Sequence, residues 1–161
     1  MRTLLLLLAL LATSGVHAAG TTLKPFQPGS VQRIVEARDG RPFILAFWSV
    51  DCTHCRAELE QLARLANRHP ELDIVLVSTD TPAASADILA ALRRYGSPRA
   101  EQWVFADDFV ERLRFEVAPR WYGELPRTYL FGPGESREAI TGRLDPGRLA
   151  HWLRANGHRG D

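Results

Sequence analysis

The segment Phe43 to Cys55, FILAFWSVDCTHC, constrains this chain more than any other. Phe43 to Trp48 is an unbroken apolar run of strand length, the pattern of a strand covered on both faces of a sheet. A strand of that kind needs helices packed above and below it. The chain's two cysteines, Cys52 and Cys55, follow at once. From Cys52 to Asn67 the periodicity predicts a helix, with Leu59, Leu62, Ala63, Leu65 and Ala66 on one side and Pro70 marking its end.

The rest of the chain repeats the alternation. Gly20 to Ser30 is rich in Thr, Pro and Gly and reads as an extended lead-in. Ser30 is placed to cap a short helix over Val31 to Arg38, stopped by Asp39-Gly40. Ile74 to Val77 predicts a second buried strand. Thr81 as cap and Pro82 at the first helical position start a helix that runs to Gly96. Trp103 to Phe105 predicts a short strand, and Asp107 or Asp108 caps a helix through Phe115. A loop from Pro119 to Pro126 leads to the strand Thr128–Phe131. A Gly132-Pro133-Gly134 turn and an edge strand over Arg137 to Gly142 follow. Asp145-Pro146 caps the last helix, whose Leu149, Trp152 and Leu153 face the core. The expectation is an α/β domain with a largely parallel sheet and an antiparallel edge.

At 161 residues and 45% hydrophobic composition, one domain is the natural size. A net charge of +1, with 19 acids against 20 bases, gives no electrostatic case for nucleic acid. The N-terminus has a different character. Met1-Arg2, the apolar run Leu4 to Leu11 and the small residues around Ala18 form a secretory signal, cut after Ala18 or Ala19. The run is shorter than the roughly 20 residues of a spanning helix, so the mature chain is expected to lack a transmembrane segment. The domain organisation is therefore a signal over residues 1–18 and one domain over 19–161, placed in the periplasm or otherwise exported.

Export sharpens the meaning of the cysteines. A secreted domain stapled by disulfides uses several well-separated cysteines. A bridge between Cys52 and Cys55 closes a tiny loop and adds little by chain entropy. The pair is better explained as chemistry. A thiol at a helix N-terminus is favoured as the thiolate by unpaired amides and the helix dipole, and thiolates attack disulfides. Cys52 is the expected nucleophile, with Cys55 at i+3 as the resolving thiol. An imidazole at His54 lowers the sulfur's pKa, whereas the carboxylate of Asp51 raises it. Glu58, one turn after Cys55, is either an acceptor for the proton of Cys55 or a solvated helix residue.

These residues resemble the TlpA/ResA-like branch of the thioredoxin superfamily. Phe47-Trp48, the CxxC pair and Glu58 are similar to that family's apolar strand, active-site motif and following acid. Leu125-Pro126 before Thr128-Tyr129-Leu130 is similar to its cis-proline loop and strand. The resemblance covers Thr22 to Leu153. It implies a thioredoxin-like fold, a central mixed β-sheet with helices on both faces, and a redox-active Cys52–Cys55 disulfide. It further implies a cis Pro126 facing Cys52, a Leu125 backbone that pairs with an extended substrate, and an active-site role for Glu58. Trp48 is expected to pack near the cysteines on the substrate side. The implied activity is thiol–disulfide exchange on protein substrates, in the reductive direction. No cofactor is expected, and a membrane protein serves as electron donor or acceptor. The chain also departs from the family. Asp51 replaces a tryptophan, and Thr53-His54 looks more like the dipeptide of DsbA or protein disulfide isomerase. Ala46 stands where thioredoxins bury an aspartate, and Glu60 where a proline often kinks the helix.

Two rival chemistries use the same sulfurs. Cys52, Cys55 and His54 are soft enough ligands for a Cu(I) carrier, although a closed site lacks a second Cys/His pair. Ser49-Val50-Asp51-Cys52 is faintly similar to a thiol peroxidase motif but lacks its upstream proline. His69, His151 and His158 show no ligand spacing, so no metal site is expected. Trp103, Trp121 and Trp152 are packing residues, with Trp121-Tyr122 a candidate groove lining.

Overall fold

The computed structural model describes residues 22–158 apart from 97, 98 and 135. One sheet carries six strands: β1 (Lys24–Phe26), β2 (Phe43–Trp48), β3 (Asp73–Ser78), β4 (Glu101–Phe105), β5 (Arg127–Phe131) and β6 (Arg137–Thr141). Their spatial order is β1-β4-β3-β2-β5-β6. The first four are mutually parallel, and β5 and β6 add antiparallel to the β2 side. Five helices cover it: α1 (Ser30–Glu36), α2 (Cys55–Arg68), α3 (Ser85–Tyr95), α4 (Val110–Val117) and α5 (Pro146–Ala155). The α/β architecture with a mixed sheet is the one the apolar pattern predicts.

β2 explains why two helical layers form. All six of its residues are buried, and the strand period of two sends alternate side chains to opposite faces. Ile44, Ala46 and Trp48 join a core with Leu59 and Leu62 of α2, Ile88 of α3 and Leu149 of α5. Phe43, Leu45 and Phe47 join a second core with Ile34 of α1 and Leu113 of α4. Phe47 anchors that second layer through ring contacts with Phe26, Phe105, Trp121 and Tyr129. Burying each such aromatic contributes about 1.5–3 kcal/mol.

The structure differs from the sequence reading in a few places. The lead-in contains β1, which pairs parallel with β4 from Lys24 to Phe26. Ser30 opens α1 instead of capping it, and Gly29 takes the flanking position at φ 78°, a conformation that favours glycine. The predicted start of α3 is a 3-10 turn, Pro82–Ala84, and the Thr81 side chain makes no cap bond. Asp107 does accept the Phe109 amide at 2.8 Å ahead of α4. Asp145 caps α5 as predicted, accepting the Arg148 amide at 2.8 Å, with Pro146 at the first helical position. The signal over residues 1–18 lies outside the described residues. Among the described residues, no helix is long and apolar enough to cross a membrane.

Candidate active site

β2 and β3 are parallel, so the loops leaving their carboxyl ends lie side by side. Open α/β sheets commonly place their chemistry at such a rim. The loop after β2 carries Cys52 and Cys55. Two backbone turns wind it into α2: the Cys52 amide donates to Ser49 O at 3.2 Å, and the Cys55 amide to Cys52 O at 3.1 Å. Regular helix begins at Cys55, with His54 in the capping position. The predicted helix start at Cys52 is thus three residues early, because residues 52–54 form the entry turn.

Cys52 and Cys55 are joined as a disulfide with Cα atoms 5.3 Å apart. The two sulfurs have unequal access. Cys52 is half-buried, whereas Cys55 is 1% exposed. Asp51, Thr53 and His54 are all exposed around them. Trp48 is buried at 2% and, with Val50, Leu59 and Tyr95, walls a small cavity beside Cys52. Its Nε1 has no acceptor among the described residues.

Glu58 is not a solvated helix residue. It is 2% exposed, and both carboxylate oxygens are occupied. Thr128 Oγ1 donates to Oε1 at 2.9 Å, and the Leu144 amide donates to Oε2 at 3.0 Å. Burial holds its carboxyl above the ordinary range; the Leu144 amide, the Thr128 hydroxyl and Arg143 pull it part of the way back. Thr128 is the cross-strand partner of Ala46. The α2 carboxylate therefore reaches the sheet beside Ala46, where the strand itself supplies no acid.

The Leu125–Pro126 bond is cis, in line with the resemblance. Pro126 is buried and Leu125 half-buried, and Leu125 packs against both cores. The Pro126 carbonyl accepts the Gly142 amide at 2.9 Å, which ties the loop to the end of β6. Nothing among the described residues hydrogen-bonds to the Leu125 backbone. Of the candidate groove residues, Trp121 is a core residue at 3% exposure and Tyr122 projects outward at 81%. The Trp121 Nε1 donates to Glu124 O at 3.0 Å, which shapes the approach to Leu125.

Sequence reasoning missed Asp80. Its carboxylate accepts from Ser49 Oγ at 2.8 Å, the Val50 amide at 3.0 Å and Ser78 Oγ at 2.6 Å. The loop after β3 thereby holds the loop that carries the cysteines. Ser78-Thr79-Asp80-Thr81-Pro82 carries the ordinary signature of a helix start, which hides the longer-range role. The proximity of His69 and His158 was missed as well. They lie beside Glu71 at the far end of α2, brought together by tertiary contacts that their spacing does not encode.

Fold and site together define a thioredoxin-fold protein with a Cys-Thr-His-Cys pair at the rim of its sheet. The dsbF protein of Mycobacterium tuberculosis has this fold, with a TM-score of 0.59 at 24% identity over 75% of this chain and 84% of that one. A secreted disulfide oxidoreductase of the same organism, homologous to E. coli DsbE, gives 0.57 at 18% identity, covering 72% and 82%. A thio-disulfide isomerase from Thermus thermophilus gives 0.50 at 26% identity, covering 72% and 79%. No protein-family model and no curated protein sequence matches the chain.

Proposed function

We propose that this protein is an exported thiol–disulfide oxidoreductase of the TlpA/ResA-like kind, working as a reductant of protein disulfides. The observation that carries the reading is the asymmetry of the site. An accessible Cys52 is bonded to a buried Cys55, and a buried carboxylate, Glu58, stands one helical turn beyond.

In the reduced protein, the entry to α2 favours a Cys52 thiolate. That thiolate attacks one sulfur of a substrate disulfide, forms a mixed disulfide and releases the other substrate sulfur as thiolate. Cys55 then gives its proton to Glu58 and attacks Cys52 Sγ. This restores the Cys52–Cys55 disulfide and releases the second substrate thiolate. Two electrons leave the dithiol, and a dithiol on a membrane protein returns them. The unpaired backbone of Leu125, presented by Pro126, is suited to an extended substrate segment. Trp48 supports the loop from beneath. His54, exposed beside Cys52, tunes the sulfur's acidity. Residues 1–18 direct export, and 19–161 form the working domain.

The reading is tested by reducing a disulfide-containing protein substrate with the reduced chain, alongside a measured potential for the Cys52–Cys55 couple. A reductant has a potential near about −270 mV and an oxidant near about −120 mV. Cys52→Ser is expected to abolish exchange, and Cys55→Ser to trap the mixed disulfide. No exchange in either direction by the wild-type chain would sink the proposal.

A further inference from the structure

We propose that His69, Glu71 and His158 form a binding site for a divalent ion of the Zn²⁺ class, remote from the cysteines. α2 runs 14 residues from Cys55 to Arg68, so its far end is about 20 Å from the disulfide at 1.5 Å per residue. His69 occupies the C-cap of that helix, its amide bonded to Leu65 O at 2.9 Å. Glu71 follows in the turn, closed by the Leu72 amide on His69 O at 3.0 Å.

His158 arrives from the other end of the chain. It follows α5 through Gly157, at φ 81°. The His158 amide donates to Leu153 O at 2.9 Å, and the Gly157 amide to Arg154 O at 3.3 Å. This is the bond pattern of a glycine-capped helix end, and it fixes the backbone of His158. Its ring lies over Trp152, with centroids 6.1 Å apart and planes 22° apart. The two histidines are therefore set by helix ends and a packed aromatic.

The donor geometry suits a metal. One potential ligand atom from each of the three residues lies within 4.8 Å of the other two. His158 Nδ1 is 2.9 Å and His69 Nδ1 is 3.6 Å from Glu71 Oε1. Ligand atoms about 2.0–2.1 Å from a tetrahedral ion stand about 3.3 Å from one another, and those two separations bracket that value. Two imidazoles and a carboxylate are a borderline-soft set that suits Zn²⁺. The C-terminal ends of α2 and α5 both approach the site, and each favours a cation. His69 is buried, while Glu71 is exposed and leaves a path for the ion. Bound there, the ion would clamp the last helix to the end of α2.

The test uses the exported form of the chain, held oxidised so that the cysteines offer no thiolate, stripped with a chelator and titrated with Zn²⁺ alone by calorimetry. One ion per chain is expected. His158→Gln and Glu71→Gln should each weaken binding at least about tenfold, the lower end of what even outer-shell losses cause at metal sites. His151→Gln, at an exposed histidine on α5, should leave binding unchanged. Zn²⁺ should also raise the melting temperature of wild type and not of His158→Gln. Absence of one-to-one binding, or equal binding by wild type, His158→Gln and Glu71→Gln, would overturn the proposal.

Discussion

Glu58 sits at the meeting of two demands that pull in opposite directions. Its two hydrogen bonds, from Thr128 and the Leu144 amide, favour the carboxylate. Burial favours the neutral acid and is the larger effect. The native carboxyl therefore takes up a proton at higher pH than the unfolded one. Folding is then most favoured by this group when it is protonated in both states. The contribution is lost as pH rises from about 4.3, the ordinary value for glutamate, through the higher native pKa. Glu58→Gln keeps the shape, accepts the Leu144 amide and can donate to Thr128. Its stability relative to wild type should therefore grow as pH climbs through that window, as read by urea unfolding at several pH values. Parallel profiles would mean that the carboxyl is not perturbed. In the exchange proposed above, the same variant would lack a proton acceptor for Cys55. General-base losses run to about a hundredfold or more, and the variant should accumulate mixed disulfide with substrate. Undiminished release would remove Glu58 from the resolution step.

At the level of elements, the site depends on two loops at the carboxyl ends of β2 and β3. Asp80 is the tie between them. Asp80→Ala leaves Ser49 Oγ, the Val50 amide and Ser78 Oγ without their acceptor. Hydrogen bonds to charged groups are worth about 1.5–3 kcal/mol each, with partial recovery by water, so a loss of about 2 kcal/mol is expected in urea unfolding. The Val50 amide should exchange with solvent faster, and Asp80→Asn should recover part of both. Wild-type protection of Val50 in Asp80→Ala would show that the loop is held by something else. The elements themselves were legible where local signals were strong. The unbroken run of β2, the Asp145-Pro146 cap of α5 and the edge position of β6 all announce themselves. β1 did not, because three residues containing a proline carry no period and become a strand only by pairing with β4. Glu58 could be assigned to the helical face of Cys55, but its burial is set by Thr128 and Leu144, distant in sequence. Asp80 and the His69–Glu71–His158 group were hidden for the same reason.

For the molecule as a whole, redox state and folding are one linked equilibrium. A dithiol whose folded couple is more reducing than its unfolded couple has its disulfide stabilised by the fold. Each 30 mV of that difference corresponds to about 1.4 kcal/mol of extra stability for the oxidised form over the reduced one. Several features here work against ionised sulfur, and others for it. Cys55 is enclosed in the core that α2, α3 and α5 make against β2, where a thiolate is poorly solvated. Glu58 places a carboxyl one turn beyond it, and Asp51 carries a second carboxylate next to Cys52. Both oppose ionised sulfur, whereas the entry to α2 and a protonated His54 favour it. In the reductive reading the folded couple is the more reducing one, and the oxidised chain should unfold at higher temperature and higher urea than the reduced chain. Glu58→Gln and Asp51→Asn should each narrow the gap, and His54→Ala should widen it. A reduced form more stable than the oxidised one would mean a folded couple more oxidising than the unfolded one, the only sign the thermodynamic cycle then allows, and would count against the reductive reading.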